Sequence, residues 1–483
     1  MSATAAQKTI IPIAAAPSSA EMISLYQREA KIQMRSVTGW FAGWRWALVW
    51  LTQLLFYGLP WLQWNSRQAV LFDLEARRFF IFDLVLYPQD VIYLAGLLII
   101  SAFSLFLFTA VAGRLWCGFA CPQTVYTEIF MWVERRFEGD RQARIRLDAA
   151  PWSARKLLRR GGKQAVWLLI GLWTGFTFVA YFTDARTLAA GAWGFSLGPS
   201  EMFWSLFYGF ATYGNAGYMR EQVCKYMCPY ARFQSAMFDR DTLIVSYDVE
   251  RGEPRGSRPR GVDPASVSKG DCIDCTLCVQ VCPTGIDIRN GLQYECIGCT
   301  ACIDACNGVM DKMRYPRGLI RYDTQNSMQG HWSTAQMWKR VLRPRVLVYS
   351  GVLLLIVAGF VTSLALRSPF KAGVVRDRGA MARLVEDGRV ENVYRIHLMN
   401  ATESAQQFRI DVDGLPDAVV AVRGAIEVGA TQARWVPVSV QVTPQAARAL
   451  GGGAHPMHFR IASMDGERTV AEVSEKSTFV VPR

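Results

Sequence analysis

Two consecutive runs of cysteine constrain the fold of this 483-residue chain more than any other feature. Within each run, two residues separate the first three cysteines and three residues precede the fourth. The runs are Cys272, Cys275, Cys278 and Cys282, followed by Pro283, and Cys296, Cys299, Cys302 and Cys306, followed by Asn307. This is the spacing with which bacterial two-cluster ferredoxins hold [4Fe–4S] cubes. Zinc and disulfides are the alternatives, but zinc sites usually show cysteine pairs, and disulfides are rare in the cytosol.

The fourth cysteine of each run is expected to bind the cluster of the other run, as it does in two-cluster domains. The predicted ligand sets are therefore Cys272, Cys275, Cys278 and Cys306 for one cluster, and Cys296, Cys299, Cys302 and Cys282 for the other. The asparagine after the second run affects the turn that follows Cys306 and leaves the ligands unchanged. We assign the two-cluster ferredoxin domain to residues 270–325.

Five stretches without a charged residue are long enough to cross a bilayer as helices, which takes about 17–25 residues. They are Trp46–Trp64, Val91–Ala112, Ala165–Thr183, Met202–Met219 and Val346–Leu366. Core helices of a soluble protein are the alternative, but few of these run so far without a charge. The fourth stretch is the weakest because three glycines and an asparagine dilute it. The sequence therefore predicts an α-helical transmembrane bundle of five spans, surrounded by a lipid bilayer.

The basic residues predict how this bundle is oriented. Eleven lysines and arginines lie in Gly113–Gln164, whereas the other loops between spans carry few. The positive-inside rule places that segment in the cytoplasm. The ferredoxin domain would then be cytoplasmic, and the chain after Leu366 would lie outside. Nucleic-acid binding is the rival explanation for the net charge of +13, but the charges cluster beside the spans, so we expect no nucleic-acid partner.

The remaining sequence completes a multi-domain arrangement. The predicted order is a leader (1–45), a membrane region with four spans (46–240), a linker (241–269), the ferredoxin domain, the fifth span (346–366) and an outer domain (368–483). The outer domain alternates apolar and polar residues in short runs that turn residues separate, which predicts an antiparallel β-sandwich. Its His455-Pro456-Met457-His458 group is either a surface copper site or, as is more common for such a group, a loop.

The four other cysteines form two matching C-x-x-x-C-P motifs. They are Cys117 and Cys121 before Pro122, and Cys224 and Cys228 before Pro229. Residues at i and i+4 share one side of a helix, so each motif is predicted to point two sulfurs the same way, next to spans two and four. Cysteine as a small buried hydrophobe is the alternative. Soft thiolates favour Cu(I), zinc or iron–sulfur iron, so the set is expected to bind copper, hold a further cluster or do thiol chemistry.

The motifs that the sequence lacks limit the possible cofactors and electron donors. The four histidines lie outside the first four spans, which excludes a bis-histidine haem there. The sequence has no dinucleotide-binding glycine motif and no P-loop. Electrons are therefore expected from a soluble partner or from a quinol.

The combination of paired C-x-x-x-C-P motifs, a two-cluster ferredoxin segment, a fifth span and an outer domain resembles the CcoG (FixG or RdxA) family. These are cytochrome c oxidase accessory proteins of bacterial inner membranes. The resemblance implies an immunoglobulin-like outer domain in the periplasm and reduction of Cu(II) to Cu(I) for assembly of cbb(3)-type oxidase. It implies that Cys117, Cys121, Cys224 and Cys228 handle copper, and that partners include a copper chaperone or oxidase assembly factors.

Two other functions remain open on these residues. The first is a quinol-oxidising electron conduit of the NapH or NosR type, in which the C-x-x-x-C-P motifs would be structural or would hold another cluster. The second is a non-enzymatic scaffold for oxidase assembly. If the protein reduces copper, copper is its substrate or a transient ligand, and two [4Fe–4S] clusters are the resident cofactors.

Overall fold

The computed structural model of the chain describes residues 32–65, 67–377, 379, 382–422 and 425–482. Most of the predicted leader therefore lies outside the described residues, and its end already belongs to the first helix. Residues 40–237 are mainly helical, with short strands between the first two helices; the cysteine runs occupy the unit that follows, and strands form most of the C-terminal part.

Nine α-helices and two π-helical segments form the described part of the membrane region. The helices are α1 (Trp40–Gly58), α2 (Val91–Ala112), α3 (Leu115–Phe119), α4 (Pro122–Glu138), α5 (Arg141–Ala149), α6 (Ala154–Val179), α7 (Ala185–Trp193), α8 (Pro199–Gly214) and α9 (Pro229–Met237). The π-helical segments, Asn215–Met219 and Val223–Met227, lie between α8 and α9. π-Helical turns are rare and are frequent at functional sites.

Short strands fill the connection between α1 and α2. They are β1 (Gln63–Trp64), β2 (Arg67–Gln68), β3 (Val70–Asp73), β4 (Arg78–Ile81) and β5 (Leu84–Leu86). β1 pairs with β2, and β3, β4 and β5 form an antiparallel sheet.

The ferredoxin unit is closed by a two-stranded sheet. Its elements are β6 (Ile244–Tyr247), α10 (Val249–Gly252), α11 (Leu277–Gln280), α12 (Ala301–Met313), β7 (Ile320–Asp323), α13 (Gln325–Gly330) and α14 (Thr334–Lys339). β6 pairs with β7 in antiparallel register, and Val245 of β6 is buried in the core of the unit. The segment predicted as a linker therefore contributes a strand, and the unit begins before residue 270.

Helix α15 (Pro344–Ala365) leads to the outer domain and packs along α2. Within the described residues, Pro88–Ala112 and Pro344–Ala365 are the two helices long and apolar enough to cross a membrane. Gly96 permits their contact, because a Cβ there would lie 2.8 Å from the Phe360 ring. The Tyr93 hydroxyl donates a hydrogen bond to the Ser363 carbonyl at 3.1 Å.

Three of the five predicted spans differ from the observed helices at their ends. α1 ends before Trp64 because Pro60 lies in a 3₁₀ turn, after which the chain enters β1. α6 begins eleven residues earlier than predicted, since the Ser153 side chain caps it by accepting the Lys156 N–H at 3.2 Å. The fourth predicted span is divided between α8 and a π-helical segment.

The outer domain is a β-sandwich of two antiparallel sheets. Its strands are β8 (Phe370–Arg376), β9 (Arg383–Leu384), β10 (Val390–Asn400), β11 (Gln406–Asp413), β12 (Val419–Val422), β13 (Ile426–Val428), β14 (Ala433–Val442), β15 (Gly453–Asp465) and β16 (Arg468–Val481), with helix α16 (Pro444–Leu450) before β15. One sheet has the order β12-β14-β10-β8, with β9 on β10, and the other β13-β11-β15-β16. Tyr394, Phe459 and Phe479 are fully buried between them.

The histidine and methionine group of this domain lies on β15 and not in a loop. Met457 is fully buried in the core, and His458 points to the opposite face because side chains alternate along a strand. The His455 ring is hydrogen-bonded to the Gly451 carbonyl at 2.9 Å. Since Met457 and His458 face opposite sides, the group does not present a shared copper site.

The ferredoxin unit and the outer domain lie at opposite ends of the α2–α15 pair. At one end, the Leu243 N–H and the Arg343 guanidinium donate to the carbonyls of Val111 and Ala110. At the other end, Asp90 pairs with Arg367 and Lys371, just before the outer domain begins.

Candidate metal centres

Cys282 lies with the second cysteine run. Cys282 interacts electrostatically with Cys296, Cys299 and Cys302, and these four thiols line one cavity together with Cys278 of the first run. Valine, isoleucine, proline and threonine form the rest of its lining. Burial raises the pKa of Cys296 to about 11 and that of Cys299 to about 12. These thiols are therefore protonated at neutral pH in the metal-free chain, and metal binding would release their protons.

Cys306 lies with the first run in the same crossed way. Burial, together with the neighbouring Cys278, Cys275 and Cys272, raises its pKa to about 12. Cys275 is exposed, whereas Cys272 is buried. Two groups of four thiols in largely apolar surroundings match the donor set of two [4Fe–4S] clusters, and the first group lies nearer to solvent than the second.

Two tyrosines stand beside the thiol groups. The Tyr322 hydroxyl donates to the Gly298 carbonyl at 2.9 Å, within the second run. The Tyr247 hydroxyl donates to Glu253 at 3.2 Å and is an electrostatic neighbour of Cys272. Hydrogen bonds to ligands orient them and tune a cluster's reduction potential. The sequence did not identify these tyrosines, since they lie on β6 and β7, away from the cysteine motifs.

Each C-x-x-x-C-P motif spans a break between two helical segments. Cys117 lies in α3 and Cys224 in a π-helical segment, whereas Cys121 and Cys228 are the N-cap residues of α4 and α9. The following prolines occupy the first position of the next helix, where a missing N–H costs nothing. The proline after the second cysteine therefore starts a new helix at each motif, and the i, i+4 geometry of a single helix does not apply to the two sulfurs.

The fold nevertheless brings both motifs into one neighbourhood. Cys117 is coupled electrostatically to Cys121 and Cys224, and Cys228 is coupled to Cys121 and Cys224. The Cys117 thiol donates to the Gln234 side-chain oxygen at 3.5 Å. Burial raises the pKa of Cys117 to about 12 and that of Cys224 to about 11. Among the described residues, however, no three His, Cys, Asp or Glu side chains converge closely enough to hold a single metal ion.

Apolar packing joins the membrane motifs to the second thiol group. Cys117 and Cys224 pack against a buried cluster that contains Cys299, Ile297 and Val281. This contact was not predicted, because the motifs and the second run are far apart in sequence.

A backbone contact between two glycines permits this packing. A Cβ on Gly118, inside the first motif, would lie 2.6 Å from the Gly298 carbonyl oxygen. Gly298 itself adopts a positive φ of 68°. A side chain at position 118 would therefore push the membrane motif away from the second cysteine run.

Charged side chains tie the ferredoxin unit to the membrane helices. The Arg114 guanidinium donates to the carbonyls of Tyr294 and Cys296, the latter at 3.2 Å. The Arg45 guanidinium of α1 donates to the Cys299 carbonyl at 3.0 Å. Asp304 of α12 accepts hydrogen bonds from the first N–H groups of α1 and thereby caps that helix from another unit.

A buried ion cluster holds the helices that carry the motifs. The fully buried Glu134 of α4 pairs with Arg144 at 2.7 Å, Arg220 at 3.0 Å and Lys163 at 3.6 Å. Arg220 lies between the π-helical segments and adopts a positive φ of 40°. The Gln123 amide, next to the first motif, donates to the Arg220 carbonyl at 3.1 Å. This network fixes the two motifs relative to each other.

Curated proteins resemble this chain over most of its length. The nitrogen fixation protein FixG of Rhizobium meliloti (strain 1021) is 38% identical over 457 residues, which cover 87% of each chain. Two proteins of Cereibacter sphaeroides are similarly related. RdxB is 41% identical, and the match covers 83% of this chain and 86% of RdxB. RdxA is 36% identical, and the match covers 87% of this chain and 88% of RdxA.

Family models and a solved structure match separate parts of the chain. A 4Fe-4S dicluster domain matches residues 219–325, and a 4Fe-4S binding domain matches residues 94–139. An Ig-like fold at the C-terminus of FixG, described as a putative oxidoreductase, matches residues 360–482. The crystal structure of a FixG-related protein from Vibrio parahaemolyticus covers 24% of this chain and 97% of its own, at 25% identity and a TM-score of 0.20.

These matches extend from the first membrane motif to the outer domain, and they include both regions that carry cysteines. The cysteine-rich regions support iron–sulfur clusters, and the two apolar helices support membrane association. On this evidence the chain belongs to the FixG/RdxA (CcoG) family of iron–sulfur redox proteins.

Proposed function

We propose that this protein reduces Cu(II) to Cu(I) at the inner membrane, for assembly of a cbb(3)-type cytochrome c oxidase. The observation that carries the proposal is the packing of Cys117 and Cys224 against the buried cluster around Cys299. This places the membrane thiols next to one of the two thiol groups suited to an iron–sulfur cluster. When bound, such clusters supply single electrons.

The crossed ligand sets are part of this proposal. Cys272, Cys275, Cys278 and Cys306 would hold one cluster, and Cys282, Cys296, Cys299 and Cys302 the other. The couplings of Cys306 with the first run, and of Cys282 with the second, support it. The first set includes the exposed Cys275, so its cluster would be the one nearer to solvent.

Copper suits the membrane thiols because reduction changes its preferred ligands. Cu(I) is soft and binds sulfur strongly, whereas Cu(II) prefers nitrogen and oxygen ligands. Cys117, Cys121, Cys224 and Cys228 would therefore retain the product of a one-electron reduction. Three or more of these thiols would have to approach one another to share an ion, because no three of them converge closely enough in the part of the chain that the structure describes.

We also propose five spans, with the ferredoxin unit in the cytoplasm and the outer domain in the periplasm. The spans would be α2, α15 and the apolar parts of α1, α6 and α8 with its π-helical continuation. The eleven basic residues of Gly113–Gln164 and the position of the two domains at opposite ends of α2 and α15 support this arrangement.

A copper assay on the whole protein tests the redox proposal. Anaerobically purified protein is reduced with dithionite, freed of the reductant, and mixed with Cu(II) and a colorimetric Cu(I) chelator. We expect the wild type to form Cu(I) as its cluster absorbance returns to that of the oxidised form. The Cys117→Ser/Cys224→Ser variant should lose most of this activity while it keeps its iron. Equal Cu(I) formation by both proteins would contradict a role for the membrane thiols.

A third cluster on the membrane cysteines is the second candidate. Two observations favour it. The 4Fe-4S binding domain that matches residues 94–139 includes Cys117 and Cys121, and within the described residues no three of the four thiols converge on a single-ion site. The sulfurs around an iron–sulfur cube are further apart than those around one ion. Iron analysis separates the candidates, because two clusters give about eight irons per chain and three give about twelve.

A further inference from the structure

An aromatic groove runs between α1, α4 and α6, away from the cysteine sites. Five tryptophans line it: Trp46, Trp50, Trp61, Trp132 and Trp173. Trp50, Trp132 and Trp173 are each about half exposed or more, so the groove is open along its side. In the proposed membrane arrangement the α1 and α6 walls of the groove belong to membrane spans, whereas α4 belongs to the cytoplasmic segment Gly113–Gln164. An apolar ligand could therefore enter from the lipid at the cytoplasmic side of the bilayer.

Gln53 and Tyr57 are the polar side chains of α1 that line the groove, and Arg135 of α4 also lines it. The Tyr57 hydroxyl is hydrogen-bonded to the Thr174 hydroxyl at 2.9 Å and lies 3.4 Å from the Tyr126 hydroxyl. The Gln53 amide is also within hydrogen-bonding range of Tyr126. The side-chain oxygen of Gln53 is buried, and it has no hydrogen-bond partner in the part of the chain that the structure describes. Buried acceptors in apolar surroundings are normally paired, and polar residues within a membrane usually mark a functional site.

We propose that this groove binds a membrane quinol as the electron donor, an inference that rests on the proposed electron-transfer function and membrane arrangement. A quinol has polar ring hydroxyls and an apolar tail, which match the polar and apolar side chains of the groove. One ring hydroxyl would donate to the free Gln53 oxygen, while the Tyr57 hydroxyl would contact the ring's other polar edge. The apolar ring faces and the isoprenoid tail would lie against the tryptophans and extend into the lipid.

The position of the groove suits electron transfer to the cysteine sites. Tyr126 lies on α4, one turn after Pro122, and Cys121 is the N-cap residue of that helix. Oxidation of one quinol to the quinone releases two electrons and two protons. Two one-electron iron–sulfur clusters would accept the electrons, and the protons would leave to solvent. The two clusters would therefore let one quinol, which gives up two electrons, reduce two Cu(II) ions by one electron each.

Binding is measured first, without any turnover. Decylubiquinone is titrated into the purified full-length protein, and quenching of tryptophan fluorescence is recorded. We expect saturable quenching in the wild type and about tenfold weaker binding in Gln53→Leu, since one hydrogen bond to a buried acceptor is lost. Tyr57→Phe, a milder change, should also weaken binding. Thr52→Val is the control, because the Thr52 hydroxyl bonds carbonyls of its own helix.

Reduction by quinol is measured second. Decylubiquinol should bleach the cluster absorbance of the wild type and of Thr52→Val under anaerobic conditions, and Gln53→Leu should respond about tenfold more slowly. Dithionite should reduce all three proteins equally, which shows that the clusters are intact. Unsaturable quenching, equal binding by Gln53→Leu, or displacement of the quinone by phosphatidylglycerol vesicles would each overturn the proposal. Dithionite-driven Cu(II) reduction would still test the copper function separately.

Discussion

Gly118 shows how a single residue controls the approach of two distant parts of the chain. Its position carries no side chain, and a Cβ there would meet the backbone of Gly298 at 2.6 Å. The neighbouring Cys117 can then pack against the core around Cys299. The C-x-x-x-C-P spacing alone does not indicate this role, because the residues between the two cysteines can be of any type.

We predict that Gly118→Ala uncouples copper reduction from the ferredoxin unit. The methyl group would force the backbones apart, a form of overpacking that costs about 1–3 kcal/mol. Iron content should stay the same, while the rate of Cu(I) formation by dithionite-reduced protein should fall about tenfold or more. Gly161→Ala is the control, since a Cβ on Gly161 meets nothing within 4 Å. Unchanged rates in Gly118→Ala would show that this contact is not on the electron path.

Replacing Cys282 tests the crossed ligation at the scale of one ligand. We predict that Cys282→Ser damages the cluster of the second run, although Cys282 belongs to the first run in sequence. Reduced-state EPR of the wild type should show interacting spins, and the variant should show one isolated [4Fe–4S] signal, with iron reduced from about eight to about four per chain. Cys306→Ser is the matched variant and should remove the other cluster. Loss of the first-run signal in Cys282→Ser would contradict the crossed arrangement.

At the scale of helices, α1 is held by a residue of another unit. Its N-cap residue, Gly39, offers no side-chain hydrogen bond, and the Asp304 carboxylate accepts the N–H groups of Phe41 and Ala42 at 3.3 and 2.8 Å. A Cβ on Gly39 would collide with the Asp304 side chain. The ferredoxin unit thereby acts as the cap of a membrane helix.

We predict that Asp304→Ala loosens this junction, because loss of a capping carboxylate costs about 0.5–2 kcal/mol. The unit should become more sensitive to limited proteolysis between residues 32 and 45, and thermal unfolding should begin at a lower temperature. Asp311→Asn, on the same helix, is the control, since Asp311 pairs with the exposed Arg317. Identical cleavage of Asp304→Ala and the wild type would indicate that α1 is held by other contacts.

The ion cluster around Glu134 gives a second prediction for the helices. Glu134→Gln leaves Arg144, Arg220 and Lys163 buried with too little negative charge, and breaking a buried ion pair in this way costs about 3–5 kcal/mol. We expect a marked loss of folded protein in membranes, measured by detergent-solubilised yield and size-exclusion profile. The exposed Glu75→Gln should behave like the wild type. A stable Glu134→Gln protein would mean that water or Glu138 compensates the cluster.

At the scale of the whole molecule, the α2–α15 pair separates two domains of different chemistry. The ferredoxin unit contacts one end of the pair, and the β-sandwich lies at the other. The sandwich contains no cysteine, so it can fold without disulfides on either side of a membrane.

We predict that the two domains lie in different compartments. A phosphatase reporter fused after residue 483 should be active, because it reaches the periplasm, while a fusion at about residue 260 should be inactive. A fluorescent reporter that folds only in the cytoplasm should give the reverse pattern. Equal results for the two sites would show that the number of spans between them is even.

Much of this architecture follows from the sequence alone, because its signals are local. Ligand spacing in the two cysteine runs, charge-free stretches such as Val91–Ala112, and the alternating strands of the outer domain each depend on neighbouring residues. These patterns are set by metal coordination, by lipid and by the pleat of a strand, so they predict elements well.

The tertiary structure decided what depends on residues far apart in the chain. It determined that Cys117 and Cys224 pack with Cys299, that Asp304 caps α1, and that Gln53 and Tyr57 line one groove beside Tyr126. The helix break at each C-x-x-x-C-P motif is a local feature by contrast, because the proline in the sequence starts a new helix. The contacts between distant residues arise only when separate helices pack, and no local pattern specifies which residues will meet.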